Sequence, residues 1–134
     1  MDFELSDQVK TAVGMVTEFV EKELIPLEGE MMARGLNAMM PQIREKQKLV
    51  KQMGLWAPSF PKDLGGLGLK VAEFAPISEA LGRSPFGHFV FWCQAPDVGN
   101  VEILHRYGTE EQKKRYLGPL IAGGDPQLFL HDRA

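Results

Sequence analysis

The stretch Tyr107–Gly124, YGTEEQKKRYLGPLIAGG, decides how this chain is read. Gly108 is expected to end one helix in the left-handed conformation that a residue just past a helix often takes. Thr109 then opens the next. Its hydroxyl can accept from the backbone N–H of Gln112, and the Gln112 side chain can reach back to the Thr109 N–H, a capping box. Glu110 and Glu111 place negative charge at the start of this helix, and Lys113, Lys114 and Arg115 follow toward its end, which suits the helix dipole. Tyr116, Leu117 and Leu120 form the apolar side, and Gly118-Pro119 is expected to break or sharply bend the run. By themselves these signals define a short, well-capped surface helix and carry no chemistry.

Working outward, 134 residues fit one domain and suffice to bury about two-thirds of the unfolded-chain surface. Hydrophobic residues make up 44% and charged residues 25%, the balance of a soluble globular protein. A net charge of −3 gives no electrostatic case for a nucleic acid or an anionic membrane as partner. Cys93 is the single cysteine, so no internal disulfide can form, which fits a reducing compartment. The acidic start, Met1-Asp2-Phe3-Glu4, lacks the apolar core of a secretory signal. No apolar run approaches the ~20 residues of a membrane helix. The expectation is a cytoplasmic protein with no membrane span.

Before the deciding stretch the pattern is helical. Ser6 is a good N-cap for a helix whose stripe is Val9, Val13, Val16, Phe19, Val20 and Leu24. Pro26 ends or kinks it, and Gly35 stops a continuation from Glu28. Met15, Met31, Met32, Met39 and Met40 could form a soft binding surface but are read as core filler. Pro41 suits the first turn of a second helix, with Ile43, Val50 and Met53 inward and Gly54 just past its end. Leu55, Trp56 and Phe60 read as a loop pinned into the core. A third helix spans Val71 to Leu81, with Val71, Phe74, Ile77, Ser78 and Leu81 inward, Pro76 inside it and Gly82 at its end. His88 to Ala95 holds the run FVFWC. Its composition leans to strand and its helical surroundings to helix; helix is the reading taken. Asp97 is the N-cap candidate for a helix carried by Val98, Val101, Ile103, Leu104 and Tyr107.

Chemistry is harder to find. The Gly-rich Lys62–Lys70, KDLGGLGLK, has Val71 where a dinucleotide fingerprint needs glycine, and no Gly-Lys-Ser/Thr follows, so it reads as a tight loop feeding a helix. His88, His105 and His131 share no metal-ligand spacing with each other or with Cys93. Apolar neighbours make Cys93 an inert buried thiol rather than a nucleophile. Glu102 and Arg106 form an ordinary i, i+4 surface pair. There is no serine elbow. The residues contain no self-sufficient active site: no catalytic, cofactor-binding or metal-ligating residue is assigned.

Five segments in order nevertheless resemble the N-terminal helical domain of acyl-CoA dehydrogenases. They are the first helix with Pro26, Leu55–Leu69 with Pro61 and Gly65-Gly66-Leu67-Gly68, Glu79-Ala80-Leu81-Gly82, Cys93–Asn100, and Tyr107–Gly123. The Cys93–Asn100 segment looks most like members that favour longer acyl chains. The resemblance implies an all-α fold, about a six-helix orthogonal bundle, over 1–124, with 125–134 a divergent tail. It also implies FAD-dependent α,β-dehydrogenation of acyl-CoA thioesters, with fatty acid β-oxidation as the context. In the family FAD sits between a middle β-domain and a C-terminal helical domain, and a glutamate, usually from the latter, takes the α-proton. The sequence given stops where the middle domain is expected to begin, so the chain alone is expected to bind no flavin and to be inactive.

Carried over from the family, Phe91, Ala95 and Gly99 match positions lining the far end of the acyl pocket. Their i, i+4, i+8 spacing puts them on one face if a helix runs through Pro96. The alternative is that they are packing positions of a helical core. Acyl-CoA is the small-molecule partner implied, and a homo-oligomer or the missing domains the protein partner. The rival reading is a non-catalytic helical interaction module that docks on a partner or a full-length paralogue.

Overall fold

A computed structural model of the protein describes residues 4–123. The tail expected over 125–134 and the expected domain limit at 124 lie outside the described residues. Within them the α-helices are α1 (Asp7–Phe19), α2 (Glu28–Arg34), α3 (Leu36–Gln52), α4 (Val71–Leu81), α5 (Gly87–Val90), α6 (Asp97–Tyr107), α7 (Glu110–Gln112) and α8 (Gly118–Ile121). A π segment, Val20–Leu24, and a 3-10 turn, Ile25–Leu27, carry α1 into α2. A second π segment, Lys113–Leu117, carries α7 into α8. Counted as continuous runs, the described residues hold 6 helices and no strand, the expected all-α class. The chain falls into two compact units that divide after Phe91.

In the first unit α1 packs along α4, and α3 packs on α2 and α5. Ser6 caps α1 as expected, its hydroxyl accepting from the Val9 N–H at 3.3 Å. The predicted stripe is buried at Val9, Val16, Phe19, Val20 and Leu24, with Ala12 beside it and Val13 only half-buried. Across from it α4 contributes Ile77, Ala80 and Leu81. Ile77 and Leu81 are buried as expected, Phe74 and Ser78 are half-buried, and only Val71 of the expected stripe lies outside, 86% exposed. In α3 the buried residues are Met39, Ile43, Gln47 and Val50. Met31 and Met39 are core, as read, while Met32 lies on the surface.

Two helix boundaries in this unit separate local from tertiary control. Gly54, at φ 72°, closes α3 as expected: the Leu55 N–H reaches the Val50 carbonyl and the Gly54 N–H the Lys51 carbonyl, a Schellman motif. The start of α3, however, is not at Pro41. The helix begins at Leu36 after Gly35 (φ 82°), and Pro41 lies inside it. Gly35 both ends α2 and reverses the chain, so a single residue sets the boundary that the proline was expected to set.

In the second unit α6 packs on the Lys113–Leu117 segment and on α8. Val101 and Leu104 are buried from α6, and Leu117 and Leu120 from the last run. The Thr109 capping box forms in both directions: the Gln112 N–H donates to the Thr109 hydroxyl at 3.2 Å, and the Thr109 N–H to the Gln112 side-chain oxygen at 2.9 Å. Gly108 is not left-handed. It is extended at φ −66°, ψ 144°, and glycine is required for another reason: a Cβ there would sit 2.5 Å from the Leu104 carbonyl oxygen. Nor does Gly118-Pro119 break the run. Gly118 is helical at φ −59°, ψ −53°, and the chain stays helical to Ile121.

Candidate functional site

The positions taken as acyl-pocket lining fall where the chain passes from one unit to the other. The helix expected over His88–Ala95 is short. α5 ends at Val90, Phe91 has left helical geometry at φ −86°, ψ 3°, and Trp92 sits at φ 56°. The Ala95-Pro96 peptide is cis. Helical backbone resumes at Asp97 with Pro96 as its N-cap, so Asp97 is the first helical residue rather than the cap. No helix runs through Pro96, and Phe91, Ala95 and Gly99 do not share one helical face.

Phe91 belongs to the core of the first unit. It is fully buried, its ring meets Phe19 edge-on with centroids 5.3 Å apart and planes at 89°, and its carbonyl accepts from the Ala57 N–H at 2.9 Å. In the second unit Ala95 and Gly99 are exposed, and no neighbouring atom lies within 4 Å of where a Gly99 Cβ would be. Trp92 is anchored in that unit by its indole N–H, which donates to the Leu120 carbonyl at 3.0 Å.

Three titratable groups lie in or beside this segment. Burial pushes the Cys93 thiol up to about 12, as expected of an inert thiol. The ring of His88, half-buried and 2.9 Å from the Ser78 hydroxyl, is held below the usual histidine range by desolvation. Asp97 was missed by the sequence reading as a buried group. It is 3% exposed, its Oδ1 has no hydrogen-bond partner, and burial holds its carboxyl above the usual range. Nothing in Ala-Pro-Asp-Val-Gly distinguishes such a carboxylate from an exposed cap.

The Gly-rich loop settles one question about a flavin. Its amides are spent inside the loop: Gly65 N–H donates to Lys62, Gly66 N–H to Pro61 and Gly68 N–H to Phe60 carbonyls. A Cβ on Gly66 would lie 2.1 Å from the Phe60 carbonyl oxygen, so this glycine serves chain approach, not a ligand. The amides of Gly65, Gly66 and Gly68 are therefore not available to a flavin pyrophosphate. Among the described residues no three His, Cys, Asp or Glu groups could hold a metal, and no helix is long and apolar enough to cross a membrane.

The sequence matches the family description "Acyl-CoA dehydrogenase, N-terminal domain" over residues 6–124. The chain belongs to the acyl-CoA dehydrogenase family and corresponds to its N-terminal domain. It is 38% identical over 128 residues to acyl-CoA dehydrogenase family member 10 of Mus musculus, covering 89% of this chain and 12% of that protein. Family member 11 of the same organism is 36% identical over 135 residues, covering 95% of this chain and 17% of the relative. A solved Mycobacterium abscessus structure assigned as an acyl-CoA dehydrogenase superposes with a TM-score of 0.81 at 36% identity, over 90% of this chain and 33% of that one. The chain thus spans under a fifth of the length of these two curated relatives.

Proposed function

We propose that this chain serves as the N-terminal helical domain in the FAD-dependent α,β-dehydrogenation of an acyl-CoA thioester, in the cytoplasm and in a fatty acid β-oxidation context. The observation that supports the reading most is the family match, which runs through both compact units. Flavin and the proton-abstracting glutamate are supplied, on this reading, by polypeptide other than the described residues, and the chain alone is inactive. Its own part is structural: it holds Ala95 and Gly99, two small exposed residues, where an acyl tail passes. Small side chains there leave depth for a long tail. Phe91 serves the core of its own unit, where its ring is packed on Phe19.

A chimaera tests this. The segment of the Mycobacterium abscessus protein that superposes on this chain is replaced by it. The expected product is yellow and reduces an electron-accepting dye only when acyl-CoA is added. In that chimaera Gly99→Leu is expected to shift preference to shorter acyl chains. A folded, flavin-loaded chimaera with no acyl-CoA-dependent reduction refutes the proposal. The 134-residue chain purified alone is expected to be colourless, and flavin absorbance with turnover in it would overturn the claim of inactivity.

A further inference from the structure

The stretch that leads into α6 is held down in an unusual way. Ala95, Pro96 and Gly99 are exposed, Val98 and Asn100 are half-buried, and Asp97 alone of residues 95–100 is buried. Its inward anchor is thus a carboxyl group, where the following turns of α6 use Val101 and Leu104. An apolar anchor holds at any pH. A buried carboxyl holds only while it keeps its proton, because the charged form loses far more on leaving water than the neutral one. The Asp97 Oδ1 has no hydrogen-bond partner to offset that loss. The backbone adds little. The first turn is stitched to the chain before it by the Val98 N–H, donating to the Gln94 carbonyl at 3.2 Å, and the Asn100 N–H, donating to the Pro96 carbonyl at 3.1 Å. Gly99 between them is a poor helix former, with open space where a side chain would be.

Other ionisable groups surround α6. On the Lys113–Leu117 segment packed against it they are Lys113, Lys114, Arg115 and Tyr116, and α8 has none. The helix itself carries Glu102, His105, Arg106 and Tyr107, and Cys93 precedes it. None of these groups donates to the Asp97 Oδ1. Glu102 is paired with Arg106, and Lys113 with Glu110. Burial raises the Asp97 carboxyl, against the pull of its own backbone N–H. We propose that Asp97 is a proton-controlled latch on the first turn of α6: the protonated carboxyl keeps the turn closed, and loss of the proton lets the 95–100 stretch open locally while Val101 and Leu104 stay packed. The open turn gives the carboxyl back to water, so it releases its proton first as pH rises. The latch is therefore firmest in acid and loosens from the ordinary carboxylate value of about 3.9 through the value of the closed turn. It belongs to the second unit and does not rest on the dehydrogenase reading.

Amide hydrogen exchange of the 134-residue chain tests the latch, followed by NMR from about pH 4 to about pH 8 and corrected for the intrinsic rate at each pH. Protection at Val98 and Asn100 is read relative to Gly108, whose N–H donates to the Leu104 carbonyl at the far end of the same helix. That ratio is expected to fall by about fivefold or more across the range, the reach of one unpaired buried group. Asp97→Asn, which cannot ionise, is expected to give a flat ratio; Asp97→Ser serves the same purpose if the asparagine variant does not fold. Histidine is the side chain that ordinarily titrates between about pH 5 and pH 8, so His105→Gln is the control and is expected to keep the fall. A ratio that does not change with pH overturns the proposal. So does a fall that survives Asp97→Asn, or one that His105→Gln abolishes.

Discussion

Asp97→Asn is the perturbation from which the structure makes its most specific demand. The carboxyl is 3% exposed and its Oδ1 accepts no hydrogen bond. An orphaned buried polar atom costs about 1–3 kcal/mol, and more when it is charged. Burial raises the folded-state pKa above its unfolded value. The unfolded chain therefore releases the proton first as pH rises. The contribution of this group is greatest in acid, falls as pH climbs from the ordinary carboxylate value of about 3.9 through the folded value, and then levels off. Asparagine keeps the size and the buried oxygen but cannot ionise, so it removes only the pH-dependent part. Urea unfolding from about pH 4 to about pH 8 should show the two proteins close in acid, with a gap that opens in the variant's favour toward the alkaline end and m unchanged. A gap that does not widen with pH, or a variant that is less stable at the alkaline end, would show that the carboxylate finds a partner in solution and that its burial costs nothing.

The remaining predictions concern packing and caps. Gly66→Ala drives a Cβ to 2.1 Å from the Phe60 carbonyl oxygen, a backbone atom with nowhere to go; a loss of at least about 3 kcal/mol is expected, read as a lowered urea midpoint or as failure to fold. Thr109→Ala deletes one arm of the capping box and should cost about 1 kcal/mol, while Thr109→Ser should retain most of it, both measured by thermal unfolding. Cys93, with its thiol pushed up to about 12, should hold only about one part in ten thousand as thiolate at pH 8. Its reaction with an aromatic disulfide should be slow in the native chain and should accelerate sharply in denaturant; rapid native labelling would contradict its burial.

How much could be read without coordinates depended on the range of the interaction that decides each feature. The Ser6 cap, the Thr109–Gln112 box and the Gly54 Schellman turn close within a few residues, so residue type and spacing were enough to place them. The orientation of a helix about its axis is different, because the rest of the fold chooses it. In α4 the expected stripe holds at Ile77 and Leu81, but packing on α1 adds Ala80 and leaves Val71 at the exposed first turn. Ile103 and Tyr107 group by residue type with Val98, Val101 and Leu104 as the residues that carry α6, and their exposure is visible only once Val101 and Leu104 are seen to be buried. The candidate site was least legible. The helix through FVFWC stops because Trp92 takes φ 56°, a conformation that a bulky residue rarely adopts and that no residue type in the run announces. Phe91 thereby became core, and the even spacing of Phe91, Ala95 and Gly99 ceased to describe a face.

The prolines show the same division more sharply. Four of them sit within helical runs: Pro41 is expected at a helix start, Pro76 inside its helix, and Pro26 and Pro119 at kinks or breaks. A proline inside a helix removes one N–H and presses its ring on the carbonyl four residues earlier. For Pro41 and Pro76 that carbonyl belongs to Asn37 and Ala72, each the second residue of its helix, so the disturbed bond lies in the first turn and the helix absorbs it. Pro26 and Pro119 come later in longer runs. There the crowded carbonyls belong to Lys22 and Arg115, and each is the middle residue of a five-residue π segment, Val20–Leu24 and Lys113–Leu117. A π turn holds one extra residue and so widens the ladder at the carbonyl that the ring would strike. The chain meets the same steric problem twice, once in each unit, and solves it twice at the same offset. A break and a widened turn both satisfy proline; packing selects the second, because Leu24 on one side and Leu117 and Leu120 on the other can stay buried only if the helix continues.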